Sequence, residues 1–181
     1  MMAAACPAPP VTVVAGKPAP PDSLLALPGG EALRGERLFV RHATESVRFI
    51  VIHCSATRAG RPYPAEQLER DHRARGFRTT GYHFYIRADG TTYHPRLLGE
   101  VGAHVKGLNS CSIGICYEGG LDASGRPADT RTPRQKERLR ELLHILRRLY
   151  PHALITGHRQ LAPQSGKACP CFDAAWEYRG I

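Results

Sequence analysis

Three short apolar runs constrain the fold of this chain more than any other feature. They cover residues 47–54 (VRFIVIHC), 111–117 (CSIGICY) and 153–157 (ALITG). The first two are nearly continuous and rich in β-branched residues, which is typical of strands that are covered on both faces of a sheet. We therefore expect three buried strands, spread widely along the sequence.

Helical patterns lie between these runs. Residues 65–75 stand between Pro64 and Gly76, the arrangement that is typical of a short helix. Thr132 as N-cap and Gln135 at the third helical position predict the start of a longer helix. Leucines repeat at helical spacing after it, at Leu139, Leu142, Leu143, Leu146 and Leu149. The chain thus alternates strands with helices.

A hairpin and a last helix complete the expected fold. Residues 82–87 and 91–94 flank Ala88-Asp89-Gly90, and Asp-Gly between β-prone runs predicts two antiparallel strands joined by a tight turn. A short helix is expected near residues 173–178. We predict one α/β domain with a central sheet of about five to six strands, flanked by helices.

The first 45 residues differ in character from the rest of the chain. They are rich in proline, in runs such as those at residues 7–10 and 18–21. We expect a poorly ordered extension over residues 1–45 and one folded domain over residues 46–181. No recognisable signal peptide and no apolar run of membrane-spanning length is found, so we expect synthesis in the cytoplasm and no transmembrane segment.

The chain is strongly basic. Lys and Arg number 25 against 16 Asp and Glu, a formal net charge of +9. Such an excess favours a polyanionic partner, which can be nucleic acid, an anionic membrane surface or an acidic cell-wall polymer. The basic residues are scattered and match no nucleic-acid-binding motif, so we expect no nucleic-acid partner.

Two histidines occupy positions where α/β sheets place ligands. His53 and His158 stand at the carboxyl ends of predicted strands, and Cys169 follows His158 after 11 residues. Imidazole and thiolate are good zinc ligands, and three protein ligands leave a fourth position for water. No His-Glu-x-x-His or Cys-x-x-Cys pattern supports them, so spacing alone leaves open a zinc enzyme or histidines that are hydrogen-bonded in the core.

Six ordered blocks make the sequence recognisable. The chain resembles the type 2 N-acetylmuramoyl-L-alanine amidases, the family that includes phage lysozyme-type amidases and peptidoglycan recognition proteins. The blocks are residues 52–57 (IHCSAT), 81–84 (GYHF), 101–109 (VGAHVKGLN), 112–116 (SIGIC), 157–159 (GHR) and 167–173 (KACPCFD). The resemblance spans residues 48–178 and implies the amidase type 2 fold.

The resemblance implies a function and its residues. His53, His158 and Cys169 match the ligands of one Zn²⁺ per chain, and Tyr82 and Lys167 match the catalytic positions beside the metal. The implied reaction is hydrolysis of the amide bond between N-acetylmuramic acid and the L-alanine of the peptidoglycan stem. The expected enzyme is a monomer that acts on the cell wall after release or export by an unknown route. The alternative is a recognition module that binds peptidoglycan without cutting it.

Other residues in the blocks have weaker assignments. His104 and Asn109 match a stretch that lines the substrate groove in the family, and the alternative for both is a role in holding a loop. His83 and His72 are expected to be structural. Cys171 departs from the family pattern and stands close enough to Cys169 to compete for the metal or to be oxidised.

Overall fold

A five-stranded mixed sheet lies at the centre of the computed structural model, which describes residues 47–181. The strands are β1 (Phe49–Cys54), β2 (Thr57–Arg58), β3 (Phe84–Ile86), β4 (Thr92–Tyr93), β5 (Ser112–Tyr117), β6 (Gly120–Leu121) and β7 (Leu154–Gly157). The main sheet has the order β4-β3-β5-β1-β7, with β4 antiparallel to β3 and every other pair parallel, while β2 and β6 form a small second sheet. The predicted α/β class is confirmed.

Four helices accompany the strands in the described part of the chain. They are α1 (Ala65–Ala74), α2 (Pro133–Leu149), α3 (His158–Leu161) and α4 (Ala174–Glu177). Helices α1, α2 and α4 confirm the predicted helices, with ends that agree to within one residue. Helix α3 is not predicted from the sequence, because a single turn of four residues carries no periodic signal.

Alternation along β1 assigns its residues to the two faces of the sheet. Ile50, Ile52 and Cys54 pack into the core beneath α2. Val51 packs on the other face against Val105 and the loop that follows it, and His53 shares that face. The α2 residues in the core are Leu139, Leu142, Leu143 and Leu146. Cys54 therefore points away from His53.

The start of α2 is fixed by side-chain hydrogen bonds. Thr132 Oγ1 accepts from the Gln135 backbone N–H at 3.1 Å, and Gln135 Oε1 accepts from the Thr132 N–H at 3.0 Å. This is the capping box that the sequence predicts. Gln135 is fully buried, and its Nε2 also donates to the carbonyls of Ile86 at 3.2 Å and Glu118 at 2.9 Å. One side chain therefore anchors the helix to β3 and to the end of β5.

The hairpin forms where it was predicted, but its strands are shorter. Gly90 adopts a φ of +89°, and Asp89 Oδ1 accepts from the Thr91 N–H at 2.8 Å, which shapes the turn. Tyr82 and His83 do not belong to β3, contrary to the predicted strand over residues 82–87. Before β3 the backbone at Gly81 bonds instead to the His72 ring and to the Ala103 N–H.

The predicted extension at residues 1–45 lies outside the described residues, as does residue 46. The division into an extension and a domain over residues 46–181 therefore stays a prediction. Within residues 47–181, no helix combines the length and the apolar character needed to cross a bilayer.

Candidate metal centre

The parallel pairing of β1 with β7 brings the two predicted histidine ligands together. Ile52 is paired with Gly157, so the residues that follow, His53 and His158, lie side by side at the carboxyl ends of neighbouring strands. Their ring centroids are 4.8 Å apart. The Cys169 loop returns to the same edge, and one ligand atom from each of His53, His158 and Cys169 lies within 4.8 Å of the others. The structure thus brings together all three residues that were predicted as metal ligands.

The loop that carries Cys169 is held by hydrogen bonds from the sheet and from α3. The Arg159 N–H donates to the Cys169 carbonyl at 2.9 Å, and the Cys54 N–H points to Cys169 Sγ at 3.3 Å. Tyr117, which ends β5, donates its hydroxyl to the Pro170 carbonyl at 2.6 Å, and the Cys169-Pro170 peptide is cis. A Cβ at Gly157 would stand 2.5 Å from Pro170 Cδ, so a glycine there lets the loop approach β7.

A buried arginine supports the segment that follows this loop. The Arg131 guanidinium lies 3.2 Å from the ring centroid of Phe172 and donates to the carboxylates of Asp129 and Glu177. Burial alone would lower the pKa of Arg131, but these two carboxylates raise it, so the side chain keeps its charge. It also donates to the Tyr178 hydroxyl at 2.9 Å. Arg131 thereby fixes α4 and Phe172, the residue that follows Cys171.

The donor set and its spacing fit a zinc ion. His53 Nδ1 lies 3.8 Å from Cys169 Sγ. Zn–N bonds of about 2.0–2.1 Å and a Zn–S bond of about 2.3 Å place nitrogen and sulfur roughly 3.6 Å apart in a tetrahedral site. Burial, and then the neighbouring His104, lowers the pKa of His53 well below its usual range, and burial and the Lys167 charge lower that of His158. Both imidazoles are therefore kept in the neutral form that binds metals.

Tyr82 lies beside the histidines as the resemblance implies. Its ring centroid is 5.1 Å from that of His53 and 5.4 Å from that of His72. Burial raises the pKa of Tyr82 well above its usual range, so the phenol keeps its proton and is available as a hydrogen-bond donor. His72 Nδ1 accepts from the Gly81 N–H at 2.8 Å, which confirms its expected structural role and fixes the residue before Tyr82.

Lys167 stands on an exposed loop two residues before Cys169. Its ammonium charge is close enough to both metal-site histidines to lower their pKa values. A positive charge therefore lies near the two histidines.

His104 contacts the candidate ligand His53, and Asn109 holds the backbone of His104. His104 Nδ1 is 3.0 Å from His53 Nε2, and burial lowers the pKa of His104 to about 3. Asn109 Oδ1 accepts from the backbone N–H groups of His104 and Val105, each at 2.8 Å. These contacts give Asn109 the loop-holding role that was its alternative. Substrate binding by either residue stays a prediction.

Cys171 does not join the ligand cluster. Its thiol donates to the Gly120 carbonyl at 3.1 Å and lies 3.8 Å from Cys54 Sγ. Among the described residues, the group that could hold a metal contains His53, His158 and Cys169, without Cys171. The structure therefore gives the two neighbouring cysteines different surroundings.

Several supporting residues escaped the sequence reasoning. Arg96 is buried and donates to the carbonyls of Thr80 and Val101, which joins the segments that carry Tyr82 and His104. An arginine within a polar stretch gives no signal of such a role. Gly114 lies against the His104 ring. It does give a signal in the sequence, because a glycine inside a strand often marks the close approach of another group.

Comparisons with known proteins agree with this geometry. Residues 43–172 match the N-acetylmuramoyl-L-alanine amidase family, Amidase_2. An endolysin of Enterobacteria phage K11 is 46% identical over 129 residues, which are 71% of this chain and 83% of that protein. The endolysin of Escherichia phage T7 is 40% identical over 135 residues, 74% of this chain and 87% of that protein.

A solved structure extends the comparison to three dimensions. The endolysine N-acetylmuramoyl-L-alanine amidase LysCS from Clostridium intestinale URNW superposes with a TM-score of 0.61 at 28% identity, covering 74% of this chain and 80% of that one. The family match covers well over half of the sequence and includes all three candidate metal ligands. This chain belongs to the N-acetylmuramoyl-L-alanine amidase family.

Proposed function

We propose that this chain is a zinc-dependent amidase that cleaves peptidoglycan between the lactyl group of N-acetylmuramic acid and the L-alanine of the stem peptide. The observation that carries the proposal is the convergence of His53, His158 and Cys169, whose ligand atoms lie within 4.8 Å of one another. Three nitrogen and sulfur ligands are typical of catalytic zinc sites, whereas structural sites use four.

The residues around the ligands suit amide hydrolysis. One bound Zn²⁺ would polarise the scissile carbonyl and lower the pKa of water toward about 7. Lys167 supplies a positive charge for the oxyanion that develops when the carbonyl is attacked. Tyr82 keeps its proton and can donate it, or a hydrogen bond, to a reacting group. Each of these two contributions is expected to be worth on the order of 10²–10³ in rate.

The charge of the chain supports the same substrate. A net charge of +9 favours approach to an anionic polymer such as the cell wall. The endolysin relatives also favour a site of action at the wall, reached by release or export. We propose a monomer with peptidoglycan as its partner and one zinc ion per chain.

Digestion of purified cell-wall sacculi tests this proposal. Mass analysis of the soluble products should find free stem peptides beginning with L-alanine, and the glycan strands should stay intact. A metal chelator and His53→Ala should each abolish the release. His144→Ala, which changes an exposed histidine on α2, is the matched control and should act like the wild type.

Two outcomes would contradict the proposal. Cut glycan strands or cut peptide crosslinks would assign a different bond. Tight binding of sacculi without any soluble product, from protein loaded with zinc, would instead identify a recognition module.

A further inference from the structure

The tautomer of His53 is set by what each ring nitrogen faces. Nδ1 faces Cys169 Sγ at 3.8 Å, and Nε2 faces His104 Nδ1 at 3.0 Å. A nitrogen that binds a metal must offer its lone pair, so in the neutral ring the proton belongs on the other nitrogen. His53 Nε2 must then donate its proton to His104 Nδ1.

The contact on the other side of the His104 ring requires the same direction of hydrogen-bond donation. His104 Nε2 lies 3.4 Å from Ser112 Oγ, and Ser112 Oγ donates to the Leu108 carbonyl at 2.7 Å. A hydroxyl has one proton, so Ser112 can only accept from His104. His104 therefore carries its proton on Nε2 and leaves Nδ1 free to accept. Two independent contacts thus give one consistent chain of donors, from His53 to His104 to Ser112 to the Leu108 carbonyl.

The fold also provides a fitted slot for the His104 ring. A Cβ added to Gly102 would stand 2.6 Å from His104 Cδ2, and one added to Gly114 would stand 2.7 Å from the same atom. The backbone of His104 is fixed by Asn109. His83 lies behind the slot, where its Nδ1 accepts from the Gly114 N–H at 3.0 Å. Any side chain at either glycine would collide with the ring.

We propose that His104 is a positioning residue for the metal ligand His53. By accepting from Nε2, it selects the tautomer whose Nδ1 lone pair faces the metal, and it holds the imidazole plane in that direction. The inference deepens the proposed zinc site and rests on it. It also gives His104 a role other than the contact with substrate that the resemblance implies.

Two substitutions of equal shape test this role. Asparagine and leucine differ at the end of the side chain only in polarity, and asparagine can offer an oxygen near the position of histidine Nδ1. His104→Asn should keep a zinc dissociation constant close to the wild-type value. His104→Leu should weaken zinc binding by about 10- to 100-fold, the usual cost of losing an outer-shell partner. Competition with a chromophoric chelator measures both constants.

A second measurement needs no metal. Nitrogen chemical shifts from NMR of the metal-free protein report which ring nitrogen of His53 is protonated. The wild type and His104→Asn should show Nε2–H as the dominant tautomer, and His104→Leu should show a mixture. A wild-type His53 that is protonated on Nδ1 would overturn the inference even if the protein is an amidase. If zinc does not bind the wild type, the proposed function fails, while the tautomer still tests His104.

A role in substrate binding or packing predicts other results. If His104 contacts substrate, His104→Leu should raise KM and leave zinc affinity and the His53 tautomer unchanged. If it only fills space, both variants should match the wild type in the two measurements. Either result overturns the inference. Should His104→Leu fail to fold, Ser112→Ala replaces it, because it removes the acceptor for His104 Nε2 and should shift the His53 tautomer in the same direction.

Discussion

Cys169 and Cys171 are two positions apart and face different surroundings. Cys169 Sγ faces His53, whereas Cys171 has a φ of +71° and directs its thiol to the Gly120 carbonyl. The backbone turns between them at Pro170, which Tyr117 holds through its carbonyl. The local geometry of the loop, rather than residue type, therefore makes Cys169 a candidate ligand and directs Cys171 elsewhere.

This difference predicts that replacing cysteine by serine has unequal effects on zinc affinity at the two positions. Cys169→Ser should reduce zinc affinity by more than the roughly 10- to 100-fold cost of an outer-shell change, because it removes a ligand. Cys171→Ser should leave zinc affinity nearly unchanged, since a hydroxyl can still donate to Gly120. Chelator competition on the two variants measures this contrast. Equal losses would show that Cys171 also binds the metal.

The three candidate ligands could be named from the sequence, but the contacts that support them could not. His53 and His158 stand where apolar runs end, and the Cys169 loop carries a recognisable block, so sequence patterns indicated all three. The contact between His53 and His104 joins residues 51 positions apart. It depends on strand register and on the path of a loop, and neither is encoded by local spacing.

Among the helices and strands, α2 agrees best with its prediction, because the sequence patterns that define it are local. The capping box and the leucine repeat involve residues within a few positions of one another. β2 and β6 were not predicted, since each has two residues and they pair Thr57 with Gly120, which are distant in the sequence. Helix α3 begins at His158 for a similar reason, because the turn depends on the neighbouring Cys169 loop.

The cap of α2 offers a test at this scale. Thr132→Ala should cost about 1 kcal/mol of the free energy of unfolding, the typical value for a lost N-cap. Gln135→Ala should cost more, since it also leaves the Glu118 carbonyl without its Gln135 donor, at about 1–3 kcal/mol for an unsatisfied group, while the Ile86 carbonyl keeps the Glu118 N–H. Urea denaturation measures both. Thr132→Ser and the exposed Gln164→Ala are the matched controls, and a Gln135→Ala cost no larger than theirs would contradict this account.

At the level of the whole molecule, the metal site joins parts of the chain that are distant in sequence. Its ligands come from the end of β1, from the start of α3 and from the loop that follows α3. An ion that binds these groups together stabilises the folded state and not the unfolded chain. The proposed site would therefore contribute to stability as well as to chemistry.

Thermal unfolding at several zinc concentrations and pH values measures that contribution. Zinc in 1,000-fold excess over its dissociation constant should add about 4 kcal/mol to the free energy of unfolding. The gain should shrink as pH falls, because protons compete with zinc for the thiolate and the imidazoles. The lowered pKa values of His53 and His158 mean that their protonation competes only below the ordinary histidine range. A gain that is independent of pH would argue against cysteine and histidine ligands.

The place of β1 between β5 and β7 in the sheet also sets the order in which the protein can assemble during synthesis. Its two partners, β5 and β7, leave the ribosome after it, and the pairing of β1 with β7 is what brings His53 beside His158. Contacts between such distant segments form late, since the chain must close a long loop before it gains from them. A nascent chain whose β7 and Cys169 loop are still inside the ribosome therefore lacks the candidate metal centre. The enzyme cannot begin to act on its substrate before nearly all of its fold has been made.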